Sequence, residues 1–382
     1  MVLRRRLASR GVRRWIQSVL LILIILLVCL EAMSVVAIEY DFIAVDAPNY
    51  RRPNTRPFWI DRNPYFGMWH EANTSHVHTK ACFSVTYRTN AYGVRDRSRQ
   101  SAGKLPRVVV IGDSFIEGNG LEREDRTTEI LELGSGVEHL NFGTSGHFGP
   151  TQSWLLYKHL AKRFEHDVVV FGLLPDNDFV DDDPTLADAY AGQYRPYLIG
   201  KESDYELKYA NVDQRVVSEL EVRDEKWRFF NRALRNYTYM ANVVNYLLGS
   251  FRDKALRRGT IARVSVSTYS GYYDFTRSQA ERLLYVLEQM LVEAGERTFF
   301  VVIIPRPADI RPEPAPILSV LEFIATEHDN LHIIDLRKSF ARHANWPDFY
   351  RDCDGQWSPA GARAAAETLL ADPRYRQSLE LN

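Results

Sequence analysis

Five short apolar runs, separated by longer segments of helical periodicity, are the feature that most restricts the fold of this sequence. The runs lie at residues 107–112, 138–143, 167–174, 297–305 and 331–336, and the helical patterns lie at 151–163, 276–294, 316–327 and 359–370. Continuous apolar strands are typical of a parallel sheet that is buried on both faces, with helices as the crossovers. The sequence therefore predicts an α/β protein, a three-layer α/β/α sandwich around a five-stranded parallel sheet.

The interval 184–275 interrupts this alternation of strands and helices. It begins with YRPYLIGKESDYELKYANV, which we predict to be a hairpin, and continues with a helical segment rich in arginine and aromatic residues. An insertion at this point would lie above the carboxyl edge of the sheet, where ligands bind in such folds. A lid or substrate collar and simple additional packing are both compatible with the sequence.

Residues 39–105 have only weak periodicity and are rich in tyrosine, arginine, proline and asparagine. Within them, CFSVTYRTNAYGVRD predicts a short strand followed by a turn around Asn90 and Gly93. We expect an N-terminal extension, residues 39–105, packed on a main domain, residues 106–382, that carries the insertion 184–275.

The first 38 residues combine a basic tail with an apolar segment. The tail carries six arginines and no acidic residue, and residues 15–38 then provide enough apolar length to cross a bilayer. The positive-inside rule places the tail in the cytoplasm. Residues 1–38 are thus predicted to be a transmembrane anchor, with the globular part periplasmic or extracellular. A signal peptide cleaved near residues 35–37 is the alternative, and it gives the same location.

The net charge bears on the binding partners, and the cysteine content bears on disulfide bonding. The formal net charge of −1 gives no case for nucleic acid binding, and the sequence identifies no protein partner. Of the three cysteines, Cys29 lies in the anchor, and Cys82 and Cys353 lie in a compartment that permits disulfides. A bond between these two and a pair of separate buried thiols both remain open.

The first apolar run ends in Gly-Asp-Ser, which places Ser114 at a strand-to-helix turn. At such a turn a side chain projects from the sheet edge, and backbone N–H groups of the helix start point toward whatever it attacks. Ser114 is therefore a candidate nucleophile, although Asp113 or Ser114 could simply cap a helix.

Three further motifs follow other strands, namely NFGTSGHFG (141–149), LLPDNDF (173–179) and DGQWSPAG (354–361). Together with GDSF they resemble the SGNH, or GDSL-type, hydrolase superfamily over about residues 107–370, and TYRTNAYGVRD resembles the lead-in of its membrane-anchored or exported members. The resemblance implies a flavodoxin-like fold with Ser114 as nucleophile. It implies an oxyanion hole from the Gly146 N–H and the Asn177 amide, and it makes Asp354 the acid that orients the base.

The base itself is missing, because Gln356 stands where the superfamily has histidine. A serine hydroxyl is a poor nucleophile unless a base removes its proton, and an amide cannot accept that proton. General-base catalysis contributes about 10²–10⁴-fold to rates, so a site without a base should be slow. His147 beside Gly146, or Asp354 acting through water, are candidates to replace it.

The sequence supports two functions of different class. The first is an esterase or O-acyl transferase that acts through Ser114 on a small acyl ester or acylated carbohydrate outside the cytoplasm. The second is a catalytically impaired protein that binds a glycan or acylated ligand, or scaffolds polysaccharide assembly. We expect no cofactor and no metal, since His76 and His78 lack a third ligand. The acidic run 181–183 is expected to be a solvated loop.

Overall fold

The structure is a computed structural model. It describes residues 2–40, 42–43, 48, 58–80, 82–145, 148–184, 194–201, 204–210, 234, 237–244, 247, 271–351 and 354–381. The described strands are β1 (Trp59–Asn63), β2 (Gly67–His70), β3 (Ser75–Lys80), β4 (Phe83–Arg88), β5 (Arg107–Gly112), β6 (Glu138–Gly143), β7 (Val168–Leu173), β8 (Arg195–Lys201), β9 (Asp204–Ala210), β10 (Thr298–Ile303) and β11 (Leu331–Asp335). The described α-helices are α1 (Val2–Glu39), α2 (Ser114–Glu117), α3 (Thr127–Ser135), α4 (Pro150–His159), α5 (Pro175–Asp181), α6 (Arg277–Ala294), α7 (Pro316–Glu327), α8 (Leu336–Phe340), α9 (Pro359–Ala371) and α10 (Pro373–Ser378).

A five-stranded parallel sheet forms the centre of the main domain, with the strand order β11-β10-β7-β5-β6. Each of its strands falls within one of the five apolar runs of the sequence. The side chains of β5 alternate between two cores, with Val109 and Ile111 facing one and Val108 and Val110 facing the other. Apolar residues of α4, α6 and α7 fill the first core, and those of α3, α9 and α10 fill the second. The predicted three-layer α/β/α fold is thereby confirmed.

Two antiparallel hairpins, β1–β2 and β3–β4, make up most of the described N-terminal extension. The predicted turn after β4 is present, because the Asn90 side chain accepts the N–H groups of Tyr92 and Val94 at 2.9 and 3.2 Å, and Gly93 has a φ of 73°. The predicted hairpin of the insertion is also present as β8–β9. Most of the arginine-rich and aromatic-rich segment lies outside the described residues, so its role as a collar stays a prediction.

The N-terminal helix α1 is long and apolar, and from Arg13 to Glu39 it is mostly exposed, apart from buried Ser34 and Ile38. It has the length and composition to cross a membrane. A signal sequence has the same properties, so the anchor and the location of the globular part stay expectations. The carboxylate of Glu31 on this helix accepts the backbone N–H groups of Tyr239 and Met240 at 2.8 and 2.9 Å. The C-terminal half of α1 therefore contacts the insertion directly.

Two other sequence expectations have definite outcomes. Cys82 takes part in a disulfide bond and Cys29 is free, whereas Cys353 lies outside the described residues. The expected solvated loop at 181–183 is wrong for its first two residues, since Asp181 and Asp182 are only 1% and 6% exposed. Both lie at the end of α5, where Asp182 accepts the Thr151 N–H and hydroxyl of α4 at 2.9 and 2.7 Å and the Asp181 carbonyl accepts Arg195 Nη2 of β8 at 2.8 Å.

Candidate active site

Ser114 is the first residue of α2 and follows strand β5 after a single intervening residue. That residue, Asp113, caps the helix, and its Oδ1 atom accepts the N–H of Phe115 at 3.0 Å. The turn depends on close backbone packing, because a side chain at Gly143 on β6 would collide with the backbone of α2. Ser114 is thus held at the carboxyl edge of the sheet by its strand, its cap and its neighbour β6.

Gln356 reaches the nucleophile from the loop before α9. Its Nε2 atom donates a hydrogen bond to Ser114 Oγ at 3.0 Å. The loop is closed by an antiparallel bridge between Tyr350 and Trp357 and by the Arg351 N–H, which donates to the Gln356 carbonyl at 2.8 Å. The structure therefore brings the serine and the residue at the histidine position together, even though an amide stands there.

Asp354 does not face the side chain of Gln356. Its carboxylate accepts Arg351 Nε and Nη2 at 3.2 and 3.0 Å, lies 3.5 Å from Lys80 Nζ, and accepts the backbone N–H of Gln356 at 3.1 Å. The Arg351 guanidinium also stacks on the Phe83 ring, 4.5 Å from its centroid. Two cations thus neutralise Asp354, and they attach the hairpin β3–β4 to the site loop.

Asn177 lies on α5, at the end of the neighbouring strand β7. Its side-chain amide hydrogen-bonds the Asp113 carboxylate, while its Oδ1 atom is buried without a hydrogen-bond partner among the described residues. Gly146 and His147, the other predicted contributors from this side, lie outside the described residues. Of the two residues from which the resemblance implies an oxyanion hole, Gly146 and Asn177, only Asn177 is among the described residues.

The carboxyl groups behind the nucleophile are buried and have unusual pKa values. Burial raises the pKa of Asp113 to about 7, an effect that the charge of Asp181 strengthens and hydrogen bonds from Phe115 and Asn177 oppose. Burial also raises the pKa of Asp176 to about 7, and burial together with the Asp113 charge raises that of Asp178. A carboxyl group that titrates near neutrality therefore lies next to Ser114.

A second buried cluster, which the sequence analysis did not detect, holds α2 against its surroundings. The Glu117 carboxylate accepts Trp59 Nε1 at 3.0 Å, His70 Nε2 at 3.1 Å, the Ser145 N–H at 3.0 Å and the Ser145 hydroxyl. Burial alone would raise the pKa of Glu117, but the hydrogen bond and charge of His70, with Arg95 and Ser145, lower it to about 2. The only sequence signal was an acidic residue one helical turn after Ser114.

The two histidines of β3 lie in an aromatic environment. His78 Nδ1 is 3.0 Å from the Tyr87 hydroxyl, and both His76 and His78 contact the Trp59 ring. Burial lowers the pKa of His76 to about 4 and that of His78 to about 3. In the part of the chain that the structure describes, no group of three or more candidate ligands could hold a metal ion.

No protein-family model matches the chain, and no curated protein does. Among solved structures the chain is similar to a member of the lipolytic protein G-D-S-L family from Veillonella parvula, at 12% identity and a TM-score of 0.36, over 71% of this chain and 99% of that chain. It is similar to a lipase/acylhydrolase from Enterococcus faecalis, at 12% identity and a TM-score of 0.37, over 70% of this chain and 94% of that chain.

A third similar structure is a carbohydrate esterase family 2 enzyme with a carbohydrate-binding domain from Corynascus thermopiles (Myceliophthora fergusii). The identity is 12% and the TM-score 0.37, over 74% of this chain and 69% of that chain. Likenesses at such identities and TM-scores do not show what this chain does, and its function has to be inferred from its own residues.

Proposed function

We propose that this protein is an SGNH-type ester hydrolase or O-acyl transferase that uses Ser114 on a small acyl ester or an acylated carbohydrate outside the cytoplasm. The observation that carries the proposal is the placement of Ser114. It begins a helix at the carboxyl end of β5 in the parallel sheet, and Gln356 Nε2 is 3.0 Å from its hydroxyl oxygen. This arrangement fixes the rotamer of a nucleophile that would otherwise be free to rotate.

The chemistry follows from that placement. Ser114 Oγ attacks the acyl carbonyl carbon, and the carbonyl electron pair moves to oxygen. The oxyanion forms near the start of α2, beside the Ser114 N–H. The resemblance adds the Gly146 N–H and the Asn177 amide, which has a second hydrogen besides the one bonded to Asp113. The alcohol then leaves, and water or an acceptor alcohol attacks the acyl-enzyme. Gln356 orients the serine throughout but takes no proton.

The second candidate function is ligand binding without turnover. It is favoured by two buried carboxamide oxygens, Gln356 Oε1 and Asn177 Oδ1, that have no hydrogen-bond partner among the described residues. Unpaired buried acceptors are costly, and hydroxyl donors of a sugar would satisfy them. In this case the protein would bind a glycan or an acylated ligand, or would scaffold a polysaccharide assembly.

We also propose the membrane arrangement expected from the sequence, with residues 1–38 as tail and anchor and residues 39–105 as an extension of the main domain 106–382. Exposed apolar residues along α1 support the anchor, because such a helix is stable only in lipid or detergent. Protease treatment of intact and lysed cells tests the location, and the mass of the mature chain tests cleavage. A globular part digested only after lysis of the cytoplasmic membrane would contradict the proposal.

Hydrolysis of 4-nitrophenyl acetate by the detergent-solubilised full chain distinguishes the two functions. We compare the wild type with Ser114→Ala and Gln356→His, and with Ser101→Ala as a control at an exposed serine. Turnover that Ser114→Ala abolishes and Ser101→Ala leaves intact supports the enzyme. An inert wild type that gains turnover in Gln356→His supports the binding function on an intact site. If no variant turns over the ester, the assignment of Ser114 as nucleophile is wrong.

A further inference from the structure

The direction of the hydrogen bonds at Ser114 indicates where its proton goes. Among the described residues, Ser114 Oγ has two side-chain partners, Gln356 Nε2 at 3.0 Å and Asp113 Oδ2 at 3.5 Å. The amide nitrogen can only donate, so it occupies a lone pair of the serine oxygen. The serine hydrogen is left to point toward Asp113 Oδ2, the one acceptor of this pair.

Asp354, the carboxylate predicted to orient the base, has two cationic neighbours. Asp354 is bonded to Arg351 and lies 3.5 Å from Lys80. The Asp354 carboxylate also accepts the backbone N–H of Gln356 at 3.1 Å, and no hydrogen bond joins its side chain to Ser114. Asp354, acting through water, is one of the two candidates for the base that the sequence offers, and this placement does not favour it.

Asp113, unlike Asp354, lies among other carboxyl groups. It is 2% exposed, and the charge of Asp181 and the coupled carboxyl group of Asp178 act on it. Its opposing partners are the N–H of Phe115 and the amide of Asn177, both neutral donors. Burial among acidic groups with only neutral donors favours the protonated carboxyl and makes the carboxylate a stronger base than a solvated one. A base whose pKa lies near the working pH is the most effective.

From this geometry we infer that Asp113 is the general base of the site and takes the proton of Ser114 in place of the missing histidine. The inference rests on the proposed esterase function. As Ser114 Oγ bonds to the acyl carbon, its proton moves to Asp113 Oδ2 and the carbonyl electron pair moves to oxygen. When the tetrahedral intermediate collapses, the bond to the alcohol oxygen breaks and Asp113 returns the proton to that oxygen.

The second half of the reaction uses the same groups. An incoming water or acceptor alcohol transfers its proton to Asp113 as its oxygen bonds to the acyl carbon. The ester bond to Ser114 Oγ then breaks, and Asp113 protonates the released serine. The buried Oε1 atom of Gln356, which has no partner among the described residues, is a suitable acceptor for the hydrogen of an alcohol or water held for this attack.

Labelling of Ser114 by a fluorophosphonate tests the inference without an ester substrate. The serine oxygen displaces fluoride from phosphorus, so the second-order rate constant reports how readily the serine loses its proton. We expect Asp113→Asn to lower this constant by about 10²-fold or more. Asparagine preserves the helix cap, which limits damage to the fold. Adding Gln356→His to Asp113→Asn should restore labelling, because the imidazole supplies a new base.

The matched control is Asp335→Asn. Asp335 is the last residue of β11 and caps a helix, since its side chain accepts the N–H of Arg337, and burial also raises its pKa. It has no contact with Ser114, so the same chemical change should leave the labelling rate within about 3-fold of the wild type, as expected for a substitution outside the reacting groups.

The pH profile supplies a second measurement that needs no variant. The groups that act on Asp113 include the Phe115 N–H, the Ser114 hydroxyl, the Asn177 amide and the carboxyls of Asp176, Asp178 and Asp181. The wild-type labelling rate should rise as the pH passes through about 7, where Asp113 loses its proton.

Equal labelling of wild type and Asp113→Asn, or a rate independent of pH between about 5 and 9, overturns the base assignment while Ser114 remains the nucleophile. A wild-type chain in which mass spectrometry finds no label on Ser114 overturns the nucleophile and the base together. Should Asp113→Asn fail to fold, the wild-type profile alone decides.

Discussion

Replacing Glu117 by glutamine should destabilise the protein strongly, because the carboxylate is the centre of a fully buried hydrogen-bond cluster. It accepts hydrogen bonds from Trp59, His70 and Ser145, and all of these groups are donors toward it. A glutamine must direct its own NH₂ group at one side of this cluster, where donor would face donor. The substitution therefore loses the charge and also leaves a buried donor unsatisfied.

The magnitude can be estimated in two ways. A pKa of about 2, against an ordinary value of 4.5, corresponds to about 3 kcal/mol of preference for the ionised carboxylate in the folded state. Removing one partner of a buried charged pair costs about 3–5 kcal/mol. We expect the free energy of unfolding to fall by about 3–5 kcal/mol in Glu117→Gln at neutral pH.

Urea unfolding of the detergent-solubilised full chain, followed by tryptophan fluorescence, measures this loss. The control is Glu124→Gln, because Glu124 is 74% exposed and a substitution there should change the free energy by less than about 0.5 kcal/mol. The wild type should also lose stability below pH 4.5, since a lowered pKa gives stability that disappears as the pH falls toward about 2. A loss below about 1 kcal/mol in Glu117→Gln would refute the reasoning.

The buried aspartates behind Ser114 give a pH dependence of the opposite sign. Burial raises the pKa of both Asp113 and Asp176 from 3.8 to about 7, so the free energy of unfolding should fall as the pH rises from about 4 to about 7. Urea midpoints measured across this range test it, and a steady increase in stability toward pH 7 would contradict it. Gly120→Ala should cost about 1–3 kcal/mol, because Gly120 has a φ of 69° and a Cβ atom there would collide with the Arg351 guanidinium. Gly136→Ala is its control, with a φ of 71° and open space around it, and equal urea midpoints for the two variants would show that backbone strain alone matters.

The fold could be predicted because its signals are local and repeated. Each strand of the central sheet is a continuous apolar run, and Ser358 with Pro359 marks the start of α9, where the Ser358 side chain accepts the N–H of Gly361. The proximity of Ser114 and Gln356 could also be predicted, since the loops that follow parallel strands lie at one edge of the sheet. These predictions needed only periodicity and topology.

The electrostatics of the site could not be predicted in the same way. Asp181 is buried beside the insertion, where Arg195 donates a hydrogen bond to its backbone carbonyl. Likewise, Lys80 reaches Asp354 only because the extension folds back across the main domain. From composition alone an acidic run is predicted to be exposed to solvent, because composition does not show which elements cover it. Contacts between distant segments decided both the pKa values and the partners of each carboxylate.

The cationic neighbours of Asp354 can be explained by the neutral amide at Gln356. In a serine hydrolase with a histidine base, the paired carboxylate stabilises the imidazolium that forms when the serine proton is transferred. A glutamine never becomes charged, so here the carboxylate would remain an uncompensated anion in a half-buried loop. Arg351 and Lys80 supply permanent positive charge instead, at 3.0 and 3.5 Å. The loop thus keeps its shape without a titrating partner, and the proton transfer that we propose uses Asp113, whose Oδ2 atom is 3.5 Å from Ser114 Oγ.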